Sequence, residues 1–491
     1  MGFLKRPTLR SRDDQRTRAA ELTLRESIYP LSLVTILFFL WGFSYGLIDT
    51  LNKHFQDVLG ITRARSSGLQ AAYFGAYPLA SLGHANWLLR HWGYKATFIW
   101  GLFLYGLGSL LAWPCLVYRS FGGFCVAIFV IGNGLGSLET AANPYLAVCG
   151  PPKYSEIRIN IAQAFNGIGT VVAPVLGSYV FFNHVGTDQA ALENVQWTYL
   201  GIACFVFLLA IVYYFTEIPE ITDADMAFQA ESTHAGTDVK PFRKQYRLFH
   251  ATFAQFCYTG AQVAIAGAFI NYVVETRVTP NGPTSNATAA RFLAGAQGCF
   301  TMGRFVGSAL MKFVKPRWVF LGFMTMCIIF TIPSITERGN TGMSMLYIVL
   351  FFESIIFPTI VALGMRGLGK YSKRGSGFIV AGVAGGAVVP PLLFGASDSL
   401  GKARPLDGYA PTATAMTVPL AFFVAAWSYS YCVNFVPAYR DVADRFSTAE
   451  IGISNAHAND AESQMEQTDG GVIGKSESPA HTEAVDMDRK T

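Results

Sequence analysis

Residues 121–149 read FGGFCVAIFVIGNGLGSLETAANPYLAVC, and among these 29 residues only Glu139 carries a charge. A helix needs about 20 predominantly apolar residues to cross the hydrocarbon core of a bilayer, so the run is long enough to span one. A charged acid at the centre of such a span costs about 2.5–3.5 kcal/mol or more, and acids retained there line polar cavities and often handle protons. The stretch predicts a transmembrane helix with one functional acid on it.

Runs of this kind recur along nearly the whole chain. Of 491 residues, 52% are hydrophobic and only 14% are charged, against about 25% charged in soluble domains. The mean hydropathy is +0.33. These values predict a polytopic membrane protein and exclude a soluble domain with a single anchor. The 48 glycines suit close helix packing in lipid. Cys115, Cys125, Cys149, Cys204, Cys257, Cys299, Cys327 and Cys432 lie in or beside apolar segments without zinc-ligand spacing, which reads as free buried thiols. The net charge of +5 reflects the flanks of the spans and implies no nucleic-acid patch. The first 28 residues hold seven Lys/Arg and no apolar core, so no cleaved signal peptide is expected.

Twelve apolar segments can be counted, near 29–51, 66–90, 95–115, 121–149, 157–183, 197–217, 247–275, 288–312, 316–336, 343–368, 374–398 and 412–436. The longest internal polar stretch, 218–246, splits them six and six. The predicted organisation is a disordered cytosolic N-terminus (1–28), a six-helix bundle (29–217), a central cytosolic loop (218–246), a second six-helix bundle (247–436) and a disordered cytosolic tail (437–491). With both termini inside, 27 Lys/Arg fall on the inward side and nine on the outward side, as the positive-inside rule requires. The sequon Asn286-Ala287-Thr288 then lies on an outer loop and is a candidate glycosylation site.

The two halves repeat each other. Glu139 precedes Pro144 by five residues in span 4, and Glu353 precedes Pro358 by five in span 10. Lys153-Tyr154-Ser155 and Lys370-Tyr371-Ser372 follow, and each Tyr stands 20 residues before a proline, Pro174 or Pro391. Matched spacings argue for a duplicated six-helix unit with a site at the midplane between the halves, the arrangement of major facilitators.

Polar residues inside the spans are the candidates for chemistry. Asp49 ends an apolar run in the outer half of span 1, and Glu139 lies in the inner half of span 4. Two carboxyls at different depths can pass a proton inward. Asp49 also reads as an interfacial helix-end acid, and Glu139 as a structural hydrogen-bonding group. Asn160, Gln163 and Asn166 repeat at i, i+3 along span 5, and Gln255, Tyr258 and Gln262 share a face of span 7. Amides offer the donors and acceptors that sugar hydroxyls need, and equally serve as glue between helices. Glu353 either faces the cavity or pairs with a cation such as Arg304. No P-loop, nucleophile triad or metal cluster is found, so neither an enzyme nor a cofactor is expected, the proton being the coupling ion.

At these residues the chain resembles the fucose–galactose–glucose proton symporter family of the major facilitators, over roughly residues 31–436. The most specific piece is GSLETAANPY at 136–145. Supporting pieces are FFLW at 38–41 with Asp49, NIAQAFN at 160–166, FCYTGAQ at 256–262, GRF at 303–305, FPTI at 357–360 and GSGFIV at 375–380. The resemblance implies an all-α membrane protein with the major facilitator fold, twelve helices in two pseudo-symmetric bundles. It implies proton coupling at Asp49 and Glu139, and a sugar cavity lined by Gln163 and Asn166. Beside these four, Asn143, Gln262 and Asn160 are further substrate-binding candidates, and Tyr258, Phe357 and Glu353 possible ones. The chain departs from the family's bacterial type member at Gly46 and Ile48, where that protein has Asn beside its acid, at Phe357, where it has Tyr, and at Glu353, where it is neutral.

The expected function is proton-coupled symport of a monosaccharide of the fucose, glucose or galactose type, by a monomer in a plasma membrane of fungal or other eukaryotic type. The competing readings are an uncoupled carrier of a sugar or other polar solute and a non-transporting sugar sensor. The tail is short and featureless, which counts against the sensor.

Overall fold

A run of apolar residues in lipid must satisfy its own backbone, and a helix does so within one segment. In the computed structural model the described residues are 24–149, 155–176, 188–222, 241–279, 282–366, 371–403 and 410–439, with residues 17, 179, 224, 225 and 368. Most of the two tails, Lys153, Tyr154, Lys370 and the middle of the 218–246 loop lie outside them, as does the side chain of Asn160.

Among the described residues, twelve helical rods lie at the predicted places. Span 1 is Leu24–Leu59. Span 2 runs from Gly68–Gly75 through a π-helical stretch, Leu79–His84, into the first turns of Ala85–Val117. Span 3 is the rest of that segment. Spans 4 to 6 are Phe121–Val148, Ser155–Leu176 and Asp188–Phe215. Spans 7 to 9 are Tyr246–Thr276, Asn286–Leu310 and Pro316–Thr336. Span 10 is broken into Gly339–Glu353 and Ile356–Met365, and span 11 into Ser372–Gly382 and Gly385–Ala403. Span 12 comprises Pro411–Ala415 and Thr417–Phe435. A two-residue ladder pairs Val278–Thr279 with Gly282–Pro283 in the loop before span 8.

Spans 2 and 3 are continuous by hydrogen bonding, but Gly93 turns the chain between them at φ +86°, ψ −172°. The turn has a purpose that the amides after it reveal. Tyr94 N and Lys95 N donate to the Glu220 carboxylate at 2.7 and 2.9 Å, so an acid sits on the first free N–H groups of span 3. A Cβ at Gly93 would lie 2.5 Å from Glu220 Oε2. Gly93→Ala is therefore expected to combine backbone strain of about 1–2 kcal/mol with loss of the Glu220 cap. A melting temperature unchanged from wild type in detergent would contradict this account of the turn.

Within the first half span 1 packs on span 5, and span 3 on spans 4 and 6. Within the second half span 7 packs on spans 11 and 12, and span 9 on spans 10 and 12. The halves meet through spans 1 and 7, 2 and 11, 5 and 8, 4 and 11, and 5 and 10. These pairings exchange with one another when each span is replaced by its mate six later, which is the two-fold relation the spacings predicted.

Candidate functional site

The interface between the halves closes at both ends, called outer and inner by the orientation that the Lys/Arg bias leads one to expect. On the outer side, Arg63 in the loop after span 1 pairs with Glu275 of span 7 at 2.8 Å and donates to Ser397 of span 11 at 2.8 Å. Ala64 N donates to Asp398 at 2.9 Å. Asn286 Nδ2 donates to Asp57 at 2.5 Å. The sequon thus sits in the first turn of span 8, where Ser285 Oγ also engages Thr288, and a glycan on Asn286 would replace one of the amide hydrogens that face Asp57. On the inner side, Asn86 Nδ2 donates to Lys373 O at 3.4 Å, Ser376 Oγ to Thr140 O at 3.2 Å, and Arg304 to Gln163 and Asn166.

Between these closures lies a cavity lined by Trp41, Tyr45, Phe74, Asn166, Thr170, Thr259, Gln262, Val263, Phe300, Arg304 and Phe357. Both halves contribute: aromatic rings give flat apolar faces, and two amides, three hydroxyls and a guanidinium give directional bonds. Such walls suit a small polyol, whose ring has an apolar face and a hydroxyl rim. The Trp41 ring lies 5.5 Å from that of Phe357 across the interface.

Trp41 also belongs to a second, smaller pocket, lined with Leu37, Phe38, Leu135, Leu138, Glu139 and Ala142. One indole therefore separates the central cavity from the chamber of Glu139. Its Nε1 donates to Tyr77 OH at 2.5 Å, and Tyr77 and Tyr73 are both within electrostatic reach of Glu139. Glu139 is 4% exposed, and neither carboxyl oxygen has a hydrogen-bond partner among the described residues. Asn143, one turn on, lies beside it without reaching hydrogen-bond geometry; its amide is also unpartnered there, and it does not line the cavity. A buried carboxyl without a partner is favoured in its neutral, proton-carrying form.

Asp49 occupies the outer seal. Its side chain is buried, and Tyr45 and Gln70 lie beside it without reaching hydrogen-bond geometry. The Cβ position that Gly267 of span 7 lacks is 2.7 Å from Gln70 Nε2 and 3.5 Å from both Asn52 Nδ2 and Asp49 Oδ1. Asp49 is thus covered by the opposite half and reached from outside only when the seal opens. Gly267→Val places a wedge there. In a background otherwise free of cysteine, Asn271→Cys is expected to react with an external impermeant maleimide about tenfold faster when Gly267 is Val. Equal rates would contradict the seal.

The other candidates separate cleanly. Asn166, Gln262 and Phe357 line the cavity. Gln163 is buried at its edge, with its side-chain oxygen held by Arg304 and Nε2 unpartnered. Tyr258 lies behind the wall and donates to Glu353 O at 2.7 Å, and Gln255 donates to Thr259 at 3.3 Å. Glu353 follows neither of the readings open to it. It is not among the cavity-lining residues, and the Arg304 guanidinium donates to Ser354 O, Gln163 and Asn166 rather than to its carboxyl. It is buried within reach of Tyr258 and Cys327. Sequence reasoning gave no role to Tyr45, Phe74 or Phe300 and took Trp41 only as part of a motif. The i, i+4, i+8 series Trp41, Tyr45, Asp49 was the available signal.

Beside these two six-helix halves and the cavity between them stands a sequence match: the profile of the Major Facilitator Superfamily covers residues 34–392. The chain belongs to the major facilitator superfamily. Among relatives of this major facilitator, the L-fucose-proton symporter of Escherichia coli K12 is 34% identical over 395 residues, covering 77% of this chain and 89% of the relative. A glucose/galactose transporter of Brucella abortus is 31% identical, covering 76% and 89%. The crystal structure of FucP in the outward conformation superposes with a TM-score of 0.64 at 31% identity, covering 82% of this chain and 98% of that one. The chain is accordingly a multi-pass membrane protein of a transporter family and not an enzyme.

Proposed function

We propose that this major facilitator is a proton-coupled symporter of a monosaccharide, working by alternating access. The observation that carries the reading is the single Trp41 wall between the two-sided amide-and-aromatic cavity and the chamber of the unpartnered Glu139. Relatives named as L-fucose-proton symporter and glucose/galactose transporter support a hexose or deoxyhexose as the solute. In this reading Asp49 takes a proton when the outer seal opens, and Glu139 carries the proton released inward. Asn166, Gln163 and Gln262 hold sugar hydroxyls, and Trp41 and Phe357 cover the ring. Six spans per half place both termini on one side, and the Lys/Arg bias supports the cytosol as that side. The protein acts as a monomer in the plasma membrane without a cofactor, with Asn286 as its acceptor for glycosylation during synthesis.

The test is uptake of labelled hexoses and L-fucose into proteoliposomes with and without an inward proton gradient. Accumulation of one of them only with the gradient supports the reading. Equal uptake in both conditions would make the protein an uncoupled carrier.

A further inference from the structure

Pro144 and Pro358 hold matched places in spans 4 and 10. Proline has no N–H, so the carbonyl four residues before it loses its helical donor. Those carbonyls are Thr140 O and Ser354 O, and both have found donors elsewhere. Ser376 Oγ of span 11 donates to Thr140 O across the interface. Arg304 Nε of span 8 donates to Ser354 O at 3.2 Å, where span 10 is broken between Glu353 and Ile356. The same guanidinium crosses to span 5, donating through Nη1 to Gln163 O, to Gln163 Oε1 at 2.7 Å and to Asn166 Oδ1 at 3.2 Å. Spans 5 and 11 are mates, so each freed carbonyl is tied to the matching span of the opposite half, once directly by a neutral hydroxyl and once through a cation supplied by span 8.

The cation sits in costly surroundings. Arg304 is 3% exposed, lies 4.6 Å over the Phe300 ring and forms no ion pair among the described residues. An uncompensated buried charge is strongly destabilising, so the hydrogen bonds it makes to neutral oxygens must matter to the fold or to its motion. Of the residues it holds, Asn166 lines the central cavity, as Arg304 itself does, and Gln163 stands one helical turn before Asn166 on span 5. Below the break, Ile356–Met365 borders a crevice lined by Ile159, Met311, Pro358, Thr359 and Leu363 among others, so residues of both halves meet along that segment.

We propose that Arg304 is a coupling latch that a polyol substrate displaces. In the empty protein it occupies the Gln163 and Asn166 acceptors and ties them to the break in span 10, which holds the inner side closed. Substrate hydroxyls take those acceptors, Arg304 lets go, and the inner segment of span 10 swings away from span 5. The proposal rests on the sugar-site reading above.

The experiment uses full-length protein in nanodiscs with spin labels at His91 and Lys312, both exposed at inner ends of opposite halves. Without sugar, Arg304→Met is expected to raise the ratio of open to closed inner distances about tenfold, with Arg304→Lys in between. The transported sugar is expected to bind Arg304→Met several-fold more tightly, because the competitor for its acceptors is gone. An unchanged distance distribution in both sugar-free variants would overturn the latch. So would weaker sugar binding by Arg304→Met, which would make Arg304 a ligand of the sugar instead. The distance measurement needs no substrate. Wild-type protein that binds no hexose would therefore sink the sugar reading and leave the distance result to decide the latch.

Discussion

Glu139→Gln is expected to abolish proton-driven accumulation of sugar while leaving exchange of sugar across the membrane in place. Glutamine has nearly the shape of the protonated acid and cannot release a proton. The chamber of Glu139 is apolar apart from the acid itself and the indole edge of Trp41, so the neutral amide fits where the carboxyl sat. A gradient of one pH unit supplies about 1.4 kcal/mol per proton, which holds a sugar at about a tenfold inward excess at one-to-one coupling. In the variant that excess should fall to about one, with counterflow of labelled against unlabelled sugar retained. Accumulation that survives the substitution would remove Glu139 from the coupling path.

Arg63→Ala should produce the opposite conformational bias from Arg304→Met. Arg63 is the cation of the outer seal, and its partner Glu275 is further engaged by Thr412 N at 3.0 Å and Thr412 Oγ1 at 2.7 Å. The side chains of Arg63 and Glu275 are 28% and 13% exposed, so solvent screens the pair in part. Removing one partner of a buried pair costs about 3–5 kcal/mol, and an exposed pair contributes about 0–1. A value near 2 kcal/mol is reasonable between those limits and corresponds to a shift of about thirtyfold toward the outward-open state. Spin labels at Arg119 and Glu337, exposed at outer ends of opposite halves, read the change directly. A distribution matching wild type would show that the seal is held by the remaining contacts, Ala64 with Asp398 and Asn286 with Asp57.

The fold was largely legible because lipid leaves the chain few options. Span 9 runs over 316–336 as read, bounded by Pro316 at its first turn. Span 1 continues to Leu59, beyond the apolar run, because Asn52, His54 and Gln56 find burial. Glu139 stood out because a lone charge in an apolar run has no local explanation. Asn166 and Gln262 followed from helical spacing, since each faces the interface its periodicity implied.

What stayed hidden depends on how the halves dock. The sequence places Arg304 and Glu353 each in a span, and a pair between them was a fair expectation. The break that Pro358 imposes exposes Ser354 O, and that carbonyl together with span 5 claims the guanidinium instead. Gln163 likewise looked like a free sugar ligand, and its oxygens turn out to be occupied. No spacing within one helix reports a contact made 141 residues away. The partition by Trp41 is of the same kind, because it needs spans 1, 4 and 10 in place together.

The central claim is that sugar and proton enter together, and the most direct measurement records the proton. Purified protein in liposomes carrying an internal pH dye is given the transported sugar outside, with no gradient imposed. The account predicts acidification of the lumen that begins with sugar addition, is absent in Glu139→Gln, and tracks sugar uptake in time. Sugar entry in wild-type liposomes at constant internal pH would contradict it.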